Sequence, residues 1–112
     1  MAETIRFRIG RRIYELVPYP DNLPGDFVAH EAEMLGAKLG KRDGQFILKH
    51  QKEIPSECRE FFLVFADWRD PTWSYIATTH CLRGECGLEW KLVWSLVDHY
   101  WRGPGRLVRR VS

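Results

Sequence analysis

Apolar and polar side chains alternate over residues 5–9, and this period of two is typical of a strand with one buried face. A Gly10-Arg11 turn of type II′ would lead from there into a second strand over 12–17. In the resulting hairpin Arg6 lies opposite Glu15, which places two opposite charges across from each other. The start of the chain therefore predicts a β-hairpin.

The pattern becomes helical after a proline-rich loop over 18–25. Apolar residues then recur at the spacing of one buried helix face, at Val28, Ala32, Leu35 and Leu39. We predict this amphipathic helix over 26–39, with Asp26 as its N-cap. Gly40 stands where a helix often ends, and Gly36 is expected to weaken the helix slightly.

Turn and strand signals alternate through the middle of the chain. Residues 42–44 (Arg-Asp-Gly) predict a turn, and 45–50 predict a short strand. A short helical turn is expected after Pro55, because proline suits the first helical position. The apolar run 61–66 predicts a buried strand, and the polar residues 67–72 predict a loop.

Residues 73–95 are predicted to form a second hairpin. Pairing Cys81 with Cys86 across a four-residue loop sorts both strands into one apolar and one mixed face, whereas a slip of one residue would mix the faces. A helix over 88–101 is the alternative, since its tryptophans and valines also fit a helical spacing. We prefer the strand up to residue 95, and 96–102 stays open between helix and strand.

A glycine-proline-glycine turn at 103–105 predicts a last hairpin in which Trp101 lies opposite Leu107. Strand and turn spacing with one helix predicts an α+β fold. We expect a small antiparallel sheet or partly open barrel of about five to seven strands with one amphipathic helix over about 26–39. Residues 1–112 are expected to form a single compact domain.

Composition places the chain among globular proteins, with 45% apolar and 29% charged residues. We expect no membrane span, because no apolar run approaches the roughly 20 residues that one needs. Residues 1–6 lack the apolar core of a signal peptide. The chain has three cysteines, and an odd count without a signal peptide predicts a reducing compartment, the cytoplasm.

Positive charge is concentrated at both ends although the net charge is only +2. Arginine dominates both ends and mixes with tryptophan and tyrosine near the C-terminus, and such residues bind phosphate and stack on unpaired bases. We therefore predict a nucleic-acid or partner site made of Trp101, Arg102, Arg106, Arg109, Arg110, Arg6, Arg8, Arg11 and Arg12. Binding of nucleic acid to this site should weaken with salt.

Catalytic and metal signals are incomplete. His80, Cys81 and Cys86 form half of a zinc ligand set, since the two cysteines are four residues apart and no second pair is present. We expect no metal, because only half of a ligand set is present. We expect no cofactor, and no glycine-rich phosphate loop occurs. Asp67 and Asp70 would suit acid–base work or Mg²⁺, but aspartates also build turns.

The sequence thus favours a small non-enzymatic binding or regulatory protein that contacts nucleic acid or a nucleoprotein. The first alternative is a protein–protein interaction module, such as an inhibitor or assembly factor of a bacterial or phage system. An edge strand would also suit pairing into a homodimer. The second alternative is a small hydrolase or nuclease that uses His80 or His99.

Overall fold

A six-stranded sheet organises the chain. The computed structural model describes residues 4–19, 23–84, 87–96, 100–101 and 105–111, with side chains for all of these except 23–26, 100 and 101. In chain order the elements are β1 (Ile5–Ile9), β2 (Arg12–Pro18), β3 (Leu23–Pro24), α1 (Gly25–Leu35), α2 (Lys41–Lys49), two 3-10 turns (Gln51–Glu53 and Ser56–Glu60), β4 (Phe62–Arg69), β5 (Tyr75–Gly84), β6 (Gly87–Leu96), β7 (Tyr100–Trp101) and β8 (Gly105–Arg110).

The strands of the large sheet lie in the order β1-β2-β8-β4-β5-β6, and the short strands β3 and β7 form a separate ribbon. Neighbours in the large sheet are antiparallel except β4 and β8, which run parallel. The sheet is open, with β1 and β6 at its edges. The predicted α+β fold is therefore confirmed, but the described residues hold two α-helices where one was expected.

The two helices cover opposite faces of the sheet. Leu63 and Phe65 of β4 pack in one core cluster with Ile47 of α2, and we call this side the α2 face. The alternate residue Val64 packs on the other side with Val28 of α1, which we call the α1 face. All of these side chains are fully buried, because a central strand between two helical layers has no solvent-facing side.

The first hairpin has the predicted register. Arg6 pairs with Glu15, and Ile9 pairs with Arg12. Gly10 has a φ of 59°, as the first central position of a type II′ turn requires. Local turn chemistry and alternation were sufficient for this element because both act within a few residues.

The first helix is shorter than the predicted 26–39, because α1 ends at Leu35. Gly36 has a φ of 65°, and the Ala37 N–H donates to the Ala32 carbonyl at 2.8 Å, which is the pattern of a Schellman motif. Gly36 is thus the C-terminal glycine, not a weakness within the helix. The chain then crosses to the α2 face, where Leu39 is buried.

The turn predicted at 42–44 and the strand predicted at 45–50 are wrong, because both segments belong to helix α2. Gly44 and Ile47 are three residues apart and form its buried face. Gly44 suggested a turn, but it allows α2 to pack closely against Trp68. A Cβ at this position would lie 2.6 Å from Cζ3 of Trp68. The short helical turn predicted after Pro55 is confirmed as Ser56–Glu60.

The predicted loop over 67–72 is too long, because β4 continues to Arg69 through a bulge. The predicted register of the second hairpin is also wrong. Cys81 pairs with Trp90 rather than with Cys86, and Gly84 pairs with Gly87 at the tight end. The error is four residues, an even number, so the residues paired in β5 and β6 keep their predicted faces. Trp73, which was predicted to begin this hairpin, lies in the turn before β5. Gly87 has a φ of 108°, which permits the shorter turn.

The predicted pairing of Trp101 with Leu107 is wrong. Trp101 pairs with Leu23 in the small ribbon, whereas Leu107 pairs with Val17 and Val64 within the large sheet. In the open segment 96–102, Leu96 and residues 100–101 are strand, and the others lie outside the described residues. None of the described helices is long and apolar enough to cross a membrane.

Candidate functional site

The arginines of β8 point to both sides of the sheet, because alternate strand residues face opposite ways. Arg109 lies on the α1 face, where its Nε donates to Glu15 at 2.7 Å and its Nη1 donates to the Leu35 carbonyl at 3.1 Å. Arg110 lies 3.8 Å from Asp43 of α2. The predicted C-terminal cluster is therefore divided between the two faces.

Arg106 packs its guanidinium 4.1 Å from the centre of the Phe61 ring, and it donates to the Gly105 carbonyl at 2.8 Å. Its Nε is buried and has no hydrogen-bond partner among the residues that the structure describes. This arginine is half-buried and held by an aromatic ring. Arg106 therefore packs against the protein and is only partly available as a surface cation.

The N-terminal arginines are divided in the same way. Arg6 donates to Glu15 at 2.8 Å on the α1 face, and Arg12 donates to Asp43 at 3.3 Å on the α2 face. Arg8 and Arg11 are exposed. The two remaining predicted site residues, Arg102 and the side chain of Trp101, lie outside the described residues.

Two carboxylates, Glu15 and Asp43, contact four of the eight predicted arginines. Glu15 is buried and accepts from Arg6 and Arg109, and these hydrogen bonds hold its pKa below the usual range. Asp43 accepts from Arg12 and from the hydroxyl of Tyr14, the latter at 2.7 Å. These contacts join β1, β2, β8 and both helices, so they stabilise the fold.

Burial is the larger cause and the hydrogen bond to Asp43 the second cause that raise the pKa of Tyr14 to about 12. The folded state therefore favours the neutral form of Tyr14, whereas Tyr14 in the unfolded chain ionises near pH 10. The stability that Tyr14 contributes is complete below pH 10 and should be lost as the pH rises toward 12. Denaturant unfolding between pH 8 and about 11.5 should show a steeper decline than in Tyr14→Phe. Equal slopes in the two proteins would contradict this assignment.

The predicted half-set of metal ligands lies only partly within the described residues. No group of three metal-binding side chains occurs within the described ranges, and Cys86 lies outside them. Cys58 and Cys81 are free thiols. Burial raises the pKa of the Cys58 thiol to about 11, so this cysteine is protonated at neutral pH and is a poor nucleophile.

His80 lies beside the hydroxyl group of Thr78. Its Nε2 lies 3.2 Å from Thr78 Oγ1, and its ring stacks on Phe62 with centroids 5.2 Å apart. The Thr78 hydroxyl donates to the Val93 carbonyl at 2.8 Å, so its proton is held by the main chain. Burial lowers the pKa of His80. His99 lies outside the described residues.

The two aspartates of the predicted acid–base pair have separate roles. The Asp67 N–H donates to the Leu39 carbonyl, and its side chain is exposed. Asp70 accepts hydrogen bonds from the Thr72 hydroxyl and from the Tyr75 N–H. The bond from the Thr72 hydroxyl is the largest of the causes that lower the pKa of Asp70. Asp70 therefore builds the β4–β5 turn, as aspartates commonly do.

That turn displays a tryptophan. Trp73 has a φ of 61°, an uncommon conformation for a residue with a bulky side chain, and 65% of it is exposed. Its N–H donates to the Asp70 carbonyl at 3.0 Å. The guanidinium of Arg69 lies 5.5 Å from the ring centre. The fold thus holds a large apolar ring in water at one end of the sheet.

Exposed apolar residues on the α2 face of β5 and β6 continue this end of the sheet. Tyr75, Leu92 and Trp94 are 37–41% exposed. The ring of Trp94 packs edge-on against the buried ring of Trp68, with centroids 6.0 Å apart. We call Trp73, Tyr75, Leu92 and Trp94 the aromatic end. The sequence predicted one apolar face for this hairpin, but a strand pattern does not show how much of that face a helix covers.

The outer edge of β6 is contacted at Trp90 by the side chain of Gln51. The Gln51 side-chain amide accepts from the Trp90 N–H at 2.8 Å and donates to the Trp90 carbonyl at 3.3 Å. A cavity of about 640 Å³ lies between residues 48–53 and 87–89 beside this contact. No strand pairs with the rest of this edge in the part of the chain that the structure describes.

Comparisons with known proteins supply no relative. No protein-family model, curated protein or solved structure matches the chain. The aromatic end is the most prominent surface feature of the described residues.

Proposed function

We propose that this chain is a non-enzymatic protein-binding module whose contact surface is the aromatic end. The observation that carries the proposal is a set of four large apolar side chains, each 37–65% exposed, at one end of a rigid sheet. Tryptophan and tyrosine dominate the energetics of protein interfaces, because they bury much area and lose few rotamers. Clustered exposure of such residues marks an interaction site.

Trp73 supports this proposal independently of the other three. A left-handed backbone costs a non-glycine residue about 1–3 kcal/mol, and such strain persists only where the surroundings hold it. The turn that Asp70 builds supplies this support through hydrogen bonds to Thr72 and Tyr75. The strained backbone keeps Trp73 65% exposed, which is useful to a docking partner rather than to the core.

The nucleic-acid hypothesis has less support from the geometry. Arg6 and Arg109 are bound to Glu15, and Arg12 is bound to Asp43, on opposite faces of the sheet. A site that tracks a phosphate backbone needs its cations on one surface. Among the described arginines of the predicted site, Arg8 and Arg11 are exposed, and so are Arg6 beside Glu15 and Arg110 beside Asp43. The protein–protein alternative therefore becomes our proposal.

Substituting two residues of the aromatic end should weaken partner capture without unfolding the chain. We expect Tyr75→Ser with Leu92→Ser to reduce recovery of a bound protein by about 30-fold, the effect of losing roughly 2 kcal/mol at an interface. Phe27→Ser is the matched control, because Phe27 is 56% exposed on α1. The measurement is quantitative affinity capture from source cells with each variant as bait.

A parallel titration tests the competing hypothesis. Fluorescence anisotropy with single- and double-stranded DNA and RNA at low and high salt would reveal phosphate contacts. We expect weak binding that Arg8→Ala with Arg11→Ala does not change. Tight salt-sensitive binding that this double variant abolishes and the Tyr75/Leu92 variant retains would overturn the protein-binding proposal.

A further inference from the structure

We propose that the outer edge of β1 binds an acidic extended segment of another protein, which adds to the large sheet as a further strand. The segment would run antiparallel to β1 and place one acidic residue opposite Arg8 and another opposite Arg6. The β1 edge lies across the sheet from β6, so this surface is separate from the aromatic end of the proposed function.

The main chain of β1 directs hydrogen-bonding groups out of the sheet at this edge. The Ile13 carbonyl accepts from the Val111 N–H at 2.8 Å, so the main-chain groups of Ile13 point away from β1. Ile13 lies opposite Arg8, and the two therefore form a non-hydrogen-bonded pair of the first hairpin. The N–H and carbonyl of Arg8 point outward, and those of Arg6, two residues earlier, point the same way.

These outward groups can accept an added strand. Among the described residues, β2 is the only strand that pairs with β1, and no hydrogen bond reaches the outward groups of Arg6 or Arg8. Each of the two residues thus offers one donor and one acceptor. A row of such groups on an edge strand is a template for pairing, and extended peptides bind to sheet edges in this way.

The side chains beside these groups favour an acidic occupant. Arg6 and Arg8 are both exposed and lie on the α1 face of β1. No ion pair of Arg8 occurs within the described ranges. On this face β1, β2 and β8 carry three arginines but a single carboxylate, Glu15, which already accepts from Arg6 and Arg109. Carboxylates directly opposite Arg6 and Arg8 would supply the missing negative charge.

The same arginines disfavour a second copy of this chain as the occupant. In the antiparallel register that pairs the full length of β1 with itself, Phe7 lies at the twofold axis and Arg6 of each copy faces Arg8 of the other. Like charges directly opposite each other destabilise a strand pair, and charged edge residues commonly prevent self-association. An acidic segment replaces this repulsion by attraction.

Alternation along β1 also defines the sequence pattern of the occupant. Phe7 and Ile9 are buried on the α2 face, and Ile5 is partly buried there. An added strand would continue this apolar face with β-branched residues and place its acidic residues on the α1 face. The occupant is therefore acidic at alternate positions. Because so short a strand buries far less area than a stable interface, we expect a dissociation constant of about 100 μM.

A labelled peptide of this pattern tests the pairing by fluorescence anisotropy with the full chain. The probe is Ser-Val-Glu-Val-Glu-Val-Ser with blocked ends, whose central valine would lie opposite Phe7. We expect saturable binding near the stated constant. The same peptide with lysine at both glutamate positions should bind at least about 10-fold more weakly, because it places like charges opposite each other.

A charge exchange tests the site and the direction of the strand. Arg8→Glu should weaken binding of the acidic peptide about 10-fold. Lysine in place of the first glutamate, which faces residue 8 in an antiparallel pair, should restore binding to this variant, whereas lysine in place of the second should not. Arg83→Glu is the matched control, because Arg83 is an exposed arginine of β5 and the change in net charge is the same.

N-methylation of the peptide separates strand pairing from simple charge attraction. Opposite the outward groups of Arg8 and Arg6, the glutamate N–H groups of the peptide point to β1, whereas that of the central valine points away. A methyl group on the first glutamate nitrogen should therefore abolish binding to wild type. A methyl group on the central valine nitrogen should leave the affinity unchanged.

No binding of the acidic peptide at about 1 mM, or equal binding of the lysine peptide, would overturn the acidic occupant. Equal affinities of the two methylated peptides would overturn strand addition, and an unchanged affinity of Arg8→Glu would overturn the β1 edge as the site. The Tyr75/Leu92 variant should bind the peptide like wild type, and loss of binding there would move the peptide to the aromatic end. Partner capture enters none of these measurements, so a failure of the proposed function is distinguishable from a failure at β1.

Discussion

Replacing Glu15 by glutamine is expected to lower the free energy of unfolding by about 3 kcal/mol, as for other buried carboxylates that lose their charge beside a cation. The Glu15 side chain is 10% exposed and accepts from Arg6 and Arg109. Glutamine keeps the size but leaves Arg109, which also caps the last turn of α1 at Leu35, without its counter-charge. The thermal midpoint should fall by about 10–20 °C.

The control for this variant is Glu89→Gln. Glu89 pairs with Lys91 at 3.2 Å, but both side chains are about half exposed, and we expect a change of less than about 1 kcal/mol. Denaturant unfolding followed by circular dichroism measures both. Similar small losses in the two variants would show that Glu15 and its arginines do not stabilise the sheet.

The effect of Glu15 should depend on pH with a defined sign. Its hydrogen bonds from Arg109 and Arg6 lower the pKa of Glu15 in the fold. The stability that it contributes is therefore complete above the pKa of the unfolded chain, near 4.3, and is lost as the pH falls through the lower folded value. Wild type and Glu15→Gln should differ most near neutral pH and converge in acid.

Replacing Gly44 by alanine is expected to lower the free energy of unfolding by about 1–3 kcal/mol, the usual cost of adding a methyl group to a filled core. On an exposed helix the same change would stabilise by up to about 1 kcal/mol. Here the new Cβ would lie 2.6 Å from Cζ3 of Trp68, whose ring is held in the core. Packing should outweigh helix propensity.

The matched control is Gln45→Ala, at an exposed position of the same helix. We expect it to change stability by less than about 0.5 kcal/mol. Intrinsic fluorescence should report the displacement of Trp68 in Gly44→Ala but not in the control. A stabilised Gly44→Ala variant with unchanged fluorescence would mean that α2 does not approach β4 as closely as the structure indicates.

The candidate site was only partly predictable from sequence. The arginines of residues 105–110 form one cluster along the chain, but a strand turns alternate residues to opposite faces, so Arg109 meets Glu15 and Arg110 meets Asp43. Gln51 carried no sequence signal at all. Its role depends on a contact with Trp90, 39 residues later in the chain.

Local chemistry determined several elements from the sequence alone. The first hairpin, with Arg6 opposite Glu15, follows from alternation and a glycine turn, and the faces of β5 and β6 follow from their period of two. These features depend on residues close together in the chain, where sterics and periodicity act directly. The class of the fold follows from the same signals.

Tertiary structure decided the rest. Gly36 and Gly44 are the same residue type eight positions apart, yet one ends a helix and the other packs within one. The strand order places β8, from the end of the chain, between β2 and β4, and leaves β6 at an open edge. Such long-range pairings depend on how whole elements bury their apolar faces together, and no window of neighbouring residues contains that information.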